Sequence, residues 1–317
     1  MKYGNTSRVL SFVGHALIFA AFGCLGLYFG FFVVPMYFND ATKSLFTDYL
    51  FEGAYNLYLE LAIIGMALMS ISLYGLIESV KGLLNPSDDK PVVKAFTAFI
   101  GDGYVLSVFF LLQGLLLFDL TGKSNLAFVI VMAILVAIIL LIATNIPMVK
   151  LFDGKDQTPL VSGLLLSGSV TFFWGFVETF LTLIGSWANG VYTGSFWVNM
   201  QLMIGCFASL AIFVMTLIGA IVTIKKGASD HKAALVSGYL TAGSIFVASG
   251  ILLSIGIIEL VNFDTIMIHL ESSTLKSDYG YGYGIMAIVL GSALLLASIY
   301  FAIVTGKEKA TPTAKKA

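Results

Sequence analysis

Apolar residues run through this chain in long continuous blocks, not at the short alternation of strands. Eight windows of about twenty or more such residues lie at about 9–38, 56–80, 95–118, 125–149, 159–187, 199–224, 234–262 and 282–305. A block of that length crosses the roughly 30 Å hydrocarbon core as a helix, whereas barrel strands would be shorter and alternating. The pattern predicts an all-α, polytopic helical membrane protein with eight transmembrane helices. Residues 1–306 form a single transmembrane domain, and 307–317 (KEKATPTAKKA) form a disordered basic cytoplasmic tail. Lys2 and Arg8 precede the first block as they would in a signal peptide. That block runs some thirty residues, well past a signal core of roughly 7–15, so it reads as an uncleaved first helix.

The polar residues between the blocks set the orientation. Of 17 Lys and Arg, 14 fall on one side of an eight-span topology and only Lys43, Lys123 and Lys276 on the other. The positive-inside rule then places the protein in the cell membrane as a multi-pass protein with both termini cytoplasmic. Trp187 and Trp197 flank an outer loop, where an aromatic belt is expected. Of the two longer outer loops, 39–55 carries Leu45, Phe46, Tyr49 and Leu50 at helical spacing and reads as a segment lying in the interface. The other longer loop is 263–281.

Within this alternation the chain repeats itself. LVSGLLLSGS at Leu160–Ser169 and LVSGYLTAGS at Leu235–Ser244 share seven of ten positions, seventy-five residues apart. Asn56 and Lys81, Asn125 and Lys150, and Asn199 and Lys225 bracket the second, fourth and sixth blocks at spacings of 25, 25 and 26. Asn suits a helix N-cap, and Lys suits the C-terminal dipole. The expectation is an internal repeat of two-helix hairpins at about 1–86, 87–155, 156–230 and 231–306.

Composition agrees and narrows the chemistry. The chain is 58% hydrophobic and 11% charged, against about 25% charged in a soluble domain. Cys24 and Cys206 lie inside apolar blocks, which argues against a disulfide framework or zinc site. Three scattered histidines do not suit paired haem ligation. No cofactor and no metal are therefore expected. The net charge of −1 carries no information about partners, and the short inner loops leave no room for a catalytic or nucleotide-binding domain; no nucleic-acid partner is expected. The expected partner is the lipid bilayer, with a homo-oligomer or other membrane subunits left open. No motif specifies a reaction, and the reading leans away from an enzyme.

Ionisable and polar side chains inside the blocks are the candidate sites, because a charge in hydrocarbon is expensive and usually faces protein or water. Glu178 leads. Gly168, Thr171, Gly175, Thr182 and Gly185 lie near its face at steps of three or four, so that face either lines a cavity or packs closely on a neighbour. Asp102 and Gln113 share a face of the third helix, about 16 Å apart along the axis. His15 holds the place in the first helix that Asp102 holds in the third, so the two could pair at one depth. Such a pair would relay protons, hold a quinone head group or neutralise itself. Glu60 and Glu259 lie nearer the outer ends, and Glu78 with Lys81 reads as an interfacial ion pair. Gly26 and Gly30, and the stripe Gly284, Gly291, Ser298 and Ala302, read as packing signals.

Two function classes fit these features: a transporter or channel for a small solute or ion using buried carboxylates, and a non-catalytic structural or anchor subunit of a larger membrane complex. A quinone-interacting subunit fits less well. Against transport, no block shows a midplane Gly/Pro break.

Overall fold

The computed structural model of the protein describes residues 4–33, 53–120, 126–151, 156–188, 196–261 and 278–308. They form eight helices: α1 Asn5–Tyr28, α2 Gly53–Leu84, α3 Lys90–Leu120, α4 Leu126–Leu151, α5 Thr158–Ala188, α6 Phe196–Lys226, α7 His231–Val261 and α8 Asp278–Glu308. Among the described residues, seven of the eight are long and apolar enough to cross a membrane. This is a multi-pass, all-helical membrane protein. Side chains of α4 are described only between 131 and 146, and there it contributes a shorter apolar stretch, Ile134–Ile146. The interfacial segment expected within 39–55 lies largely outside the described residues, as do most of 263–281 and the tail beyond Glu308.

The packing order follows the small residues. α1 and α2 lie antiparallel in one register, pairing Arg8 with Gly82, Ser11 with Ser79, His15 with Gly75, Gly23 with Met69, Gly26 with Gly65 and Gly30 with Ala62. Within each half of the seam the contact positions step by three or four along both helices, the period of paired helices, with about two turns between His15 and Gly23. At Gly26 and Gly65 the backbones touch: a Cβ on Gly26 would lie 2.5 Å from the Gly65 carbonyl carbon. Only small side chains permit that approach, so the packing reading of Gly26 describes its role.

α2 and α3 are the most buried spans, with α2 packed on α1, α3 and α5, and α3 also on α4. α7 and α8 form a separate hairpin, joined to the rest mainly through α6. The small stripe of α8 faces α7, with Gly284 against Leu260, Gly291 against Leu253, and the Ser298 hydroxyl donating to the Ala242 carbonyl at 2.9 Å. Outward residues such as Leu296, Ile299 and Tyr300 are left exposed, as lipid contact requires.

One end of the bundle gathers the cations. Arg8, Lys81, Lys90, Lys226, Lys232 and Lys307 all lie at or near helix ends there, tied together by Arg8 to the 85–89 loop and by the Ala228 N–H donating to Thr158 Oγ1 at 2.8 Å. Three helices leaving this end, α3, α5 and α7, are capped by aspartates. Asp88 accepts from the Lys90 N–H, Asp156 from Thr158 and Asp230 from Ala233, at 2.8–3.0 Å. Gly227, at φ 87°, makes the left-handed turn that ends α6 before Asp230. The asparagine caps expected for α2 and α6 do not form. Asn56 and Asn199 lie inside helices that begin at Gly53 and Phe196, and Asn125 lies outside the described residues.

The two LVSG motifs open α5 and α7 at similar positions but meet different neighbours. A Cβ on Gly163 would strike Ile100 of α3, in the preceding hairpin, whereas one on Gly238 would strike Thr305 of α8, in its own. Gly168 rests against Thr216 of α6, in its own hairpin, and Gly243 against Met215 of α6, in the preceding one. Similar sequence is thus set into different packing.

Candidate polar sites in the helix core

Two buried polar centres occupy the α1–α2–α3–α5 core. The first joins His15 to Asp102. The His15 ring is 0% exposed, and its Nε2 lies 2.9 Å from the Ala95 carbonyl. A carbonyl only accepts, so Nε2 carries a proton. Nδ1 faces Asp102 Oδ2 at 3.6 Å, and Ser72 Oγ donates to the same oxygen at 3.1 Å. Asp102 is 1% exposed. Phe99 closes the ring edge-on, with centroids 6.2 Å apart, and Gly75 leaves the volume the ring fills.

The second centre surrounds Glu178, which is 4% exposed on α5. α1 does not end as a regular helix: after Tyr28 it widens into a π-helical turn, Phe29–Val33. Gly30 sits in that turn, and a Cβ there would come within 3.4 Å of Glu178 Oε1 and 3.9 Å of Ala62 on α2. The carboxyl is thus seated where α1, α2 and α5 meet. Isolated π turns break the regular i→i−4 ladder and are frequent at functional sites.

Between the centres lies an apolar layer. Ile64, Ala67, Leu68, Ile71, Ala98 and Val105 are buried together, with Phe22, Leu166, Val170 and Trp174 packed against them. Thr97 Oγ1 and Ser162 Oγ, 3.1 Å apart, register α3 against α5. From that register the helical rise puts Asp102 and Glu178 about 16 Å apart along the bundle axis. Trp174 Nε1 donates to Ser70 Oγ at 3.0 Å within this layer.

The expected small, polar face of α5 divides. Gly168 and Gly175 turn to Thr216 and Ser209 of α6, while Glu178 turns to α1. This part of the stripe packs on a neighbour, and only its edge reaches the carboxyl. Thr182 and Gly185 have side chains outside the described residues, as do Gln113 and Glu259. Glu60 is partly buried on α2, two residues from the Ala62 that borders Gly30. Glu78 Oε1 accepts from Lys81 Nζ at 2.6 Å.

Arg8, Ser72 and Gly75 were not singled out by the sequence. Arg8 is 2% exposed and donates to the Gly82, Pro86 and Asp88 carbonyls and to Asp89 Oδ1, the last at 2.7 Å. Its signal was its uniqueness, one arginine among sixteen lysines: a planar fork serves several acceptors where an ammonium cannot. Gly65, Ser72, Gly75, Ser79 and Gly82 form a small-residue stripe on α2 at seam spacing, a pattern readable without coordinates. Among the described residues no cluster of three or more His, Cys, Asp or Glu could hold a metal ion. No protein-family model, curated protein or solved structure matches the chain.

Proposed function

We propose that this protein moves a small cation, or a solute coupled to a proton or cation, across the cell membrane, with Glu178 as the carboxyl that binds the moving charge. The observation that carries this reading is the seating of buried Glu178 against Gly30 in the π turn of α1. Transporter sites commonly combine a buried ionisable group with an interrupted helix, because a broken backbone ladder offers carbonyls to a cation. The π turn supplies an interruption towards the end of the first apolar block, where Gly30 and Pro35 lie, and not at its centre. In this reading α4 also spans, making eight transmembrane helices in four hairpins, and the lysine-rich end with both termini faces the cytoplasm.

The test is reconstitution of the full chain into sealed vesicles, with pH-sensitive and potential-sensitive dyes reporting flux under imposed proton, sodium and potassium gradients. Flux above that of empty vesicles, for at least one cation or with a co-added small solute, is the expected result. Vesicles indistinguishable from empty ones across these conditions would refute it.

A second reading, an anchor or structural subunit of a larger membrane complex, has its own support. The His15–Asp102 centre is closely packed, and the apolar layer above it separates it from Glu178. A bundle held by such a buried polar clasp needs no pathway. Co-purification of a fixed stoichiometric membrane subunit, together with absent flux, would favour that reading.

A further inference from the structure

We propose that His15, Asp102 and Ser72 form a binding site for one proton, held between His15 Nδ1 and Asp102, and that this bound proton latches α1 to α3. The inference does not rest on Glu178 or on any transport activity.

Counting donors and acceptors leads to it. The only proton the imidazole needs for its contact to α3 is on Nε2, which faces the Ala95 carbonyl. That leaves Nδ1 as an acceptor unless a second proton is present. Opposite it stands Asp102, whose Oδ2 receives the Ser72 hydroxyl and whose Oδ1 has no hydrogen-bond partner. His15 Nδ1 likewise has none, and both atoms are closed to solvent. Without a further proton, two acceptor groups would face each other at 3.6 Å in a buried core, one of them anionic. One added proton removes the conflict. It sits either on Asp102 Oδ2, with His15 neutral, or on His15 Nδ1, with Asp102 ionised. Transfer between these placements breaks one O–H bond and forms one N–H bond. The pair stays net neutral in both, which is what burial demands. The 3.6 Å gap exceeds a hydrogen bond, and closing it takes an approach of about 0.4–0.9 Å.

Among the described residues no other charge is set against the pair. On α1, Arg8 is two turns away and committed to the 85–89 loop. On α2, Glu78 lies one turn beyond Gly75 and is bonded to Lys81, with Tyr74 beside Gly75. On α3, Lys94 precedes Ala95 in the first turns, and Tyr104 Oη donates to Asn145 of α4. Glu178 on α5 is about 16 Å off along the axis. The proton is therefore the ligand whose charge and size the site fits.

The experiment is solid-state NMR on the full chain in lipid bilayers, with 15N-histidine and 13C-aspartate labels. His231→Gln and His269→Gln remove the other two imidazoles and leave His15 as the only histidine signal. The expected result is a protonated Nε2, with Nδ1 sharing a hydrogen with the Asp102 carboxyl at neutral pH. Asp102→Asn should also fold, because its amide N–H replaces the shared proton. His15→Leu alone and Asp102→Leu alone should raise the unfolded population roughly 100-fold, and the two together should recover most of it. A bare Nδ1 beside an ionised Asp102 at neutral pH would overturn the proposal. So would signals that shift with sodium at fixed pH, or equal, additive losses in the leucine variants.

Discussion

Gly75 on α2 and His15 on α1 share one volume: a Cβ at position 75 would fall 2.5 Å from the imidazole Nε2. The glycine is required by the ring, and the ring's place is fixed in turn by Ala95. Gly75→Ala is expected to destabilise the protein by about 1–3 kcal/mol, the usual effect of overpacking a closed core. Gly250→Ala, where nothing lies within 4 Å of the added Cβ, should change stability by no more than about 0.5 kcal/mol. Unfolding midpoints of the two variants in detergent measure the contrast.

Arg8→Lys tests the clasp at the lysine-rich end. A lysine keeps the charge yet cannot serve the Gly82, Pro86 and Asp88 carbonyls and Asp89 together. The buried acceptors left behind should lower stability by about 1–3 kcal/mol. Limited proteolysis should then cut the 85–89 loop faster than in the native chain. Unchanged cutting would show that the clasp does not hold the loop.

Topology has a direct check. In a chain freed of Cys24 and Cys206, Lys232→Cys should be protected from an impermeant thiol reagent added to intact cells, and Lys276→Cys should be labelled. The reverse pattern would invert the orientation.

The α7–α8 hairpin offers a separable probe. Ser298 and Ser249 donate across it to the Ala242 and Gly291 carbonyls. Each removal by alanine should cost about 0.6 kcal/mol, the mean for interhelical hydrogen bonds in membranes. Their double-mutant cycle should be nearly additive, because the two bonds lie on well-separated turns.

Sequence reading located the helices because hydrocarbon demands long apolar runs, and no packing detail alters that demand. It also put His15 and Asp102 at one depth, since both follow from counting residues inward from the same end. What it did not reach depends on rotation about the helix axis. Gly168 and Glu178 read as one face of α5, yet one meets α6 and the other α1. Gly163 and Gly238 match in sequence and meet different hairpins for the same reason. The π turn at Phe29–Val33 was also hidden, because Pro35 reads as a helix end and glycines such as Gly30 are common in membrane helices.

The transport reading stands most directly on Glu178, so the decisive measurement compares cation or proton-coupled flux through native protein, Glu178→Gln and Glu178→Asp in vesicles at matched insertion. The glutamine variant should insert and fold, because a packing role beside Gly30 needs only a group of that size, yet lose coupled flux by about 100-fold or more. The aspartate variant, shorter by one methylene, should keep a reduced but measurable flux. Native flux with unchanged pH dependence in Glu178→Gln would contradict the account, because the charge would then cross without the carboxyl.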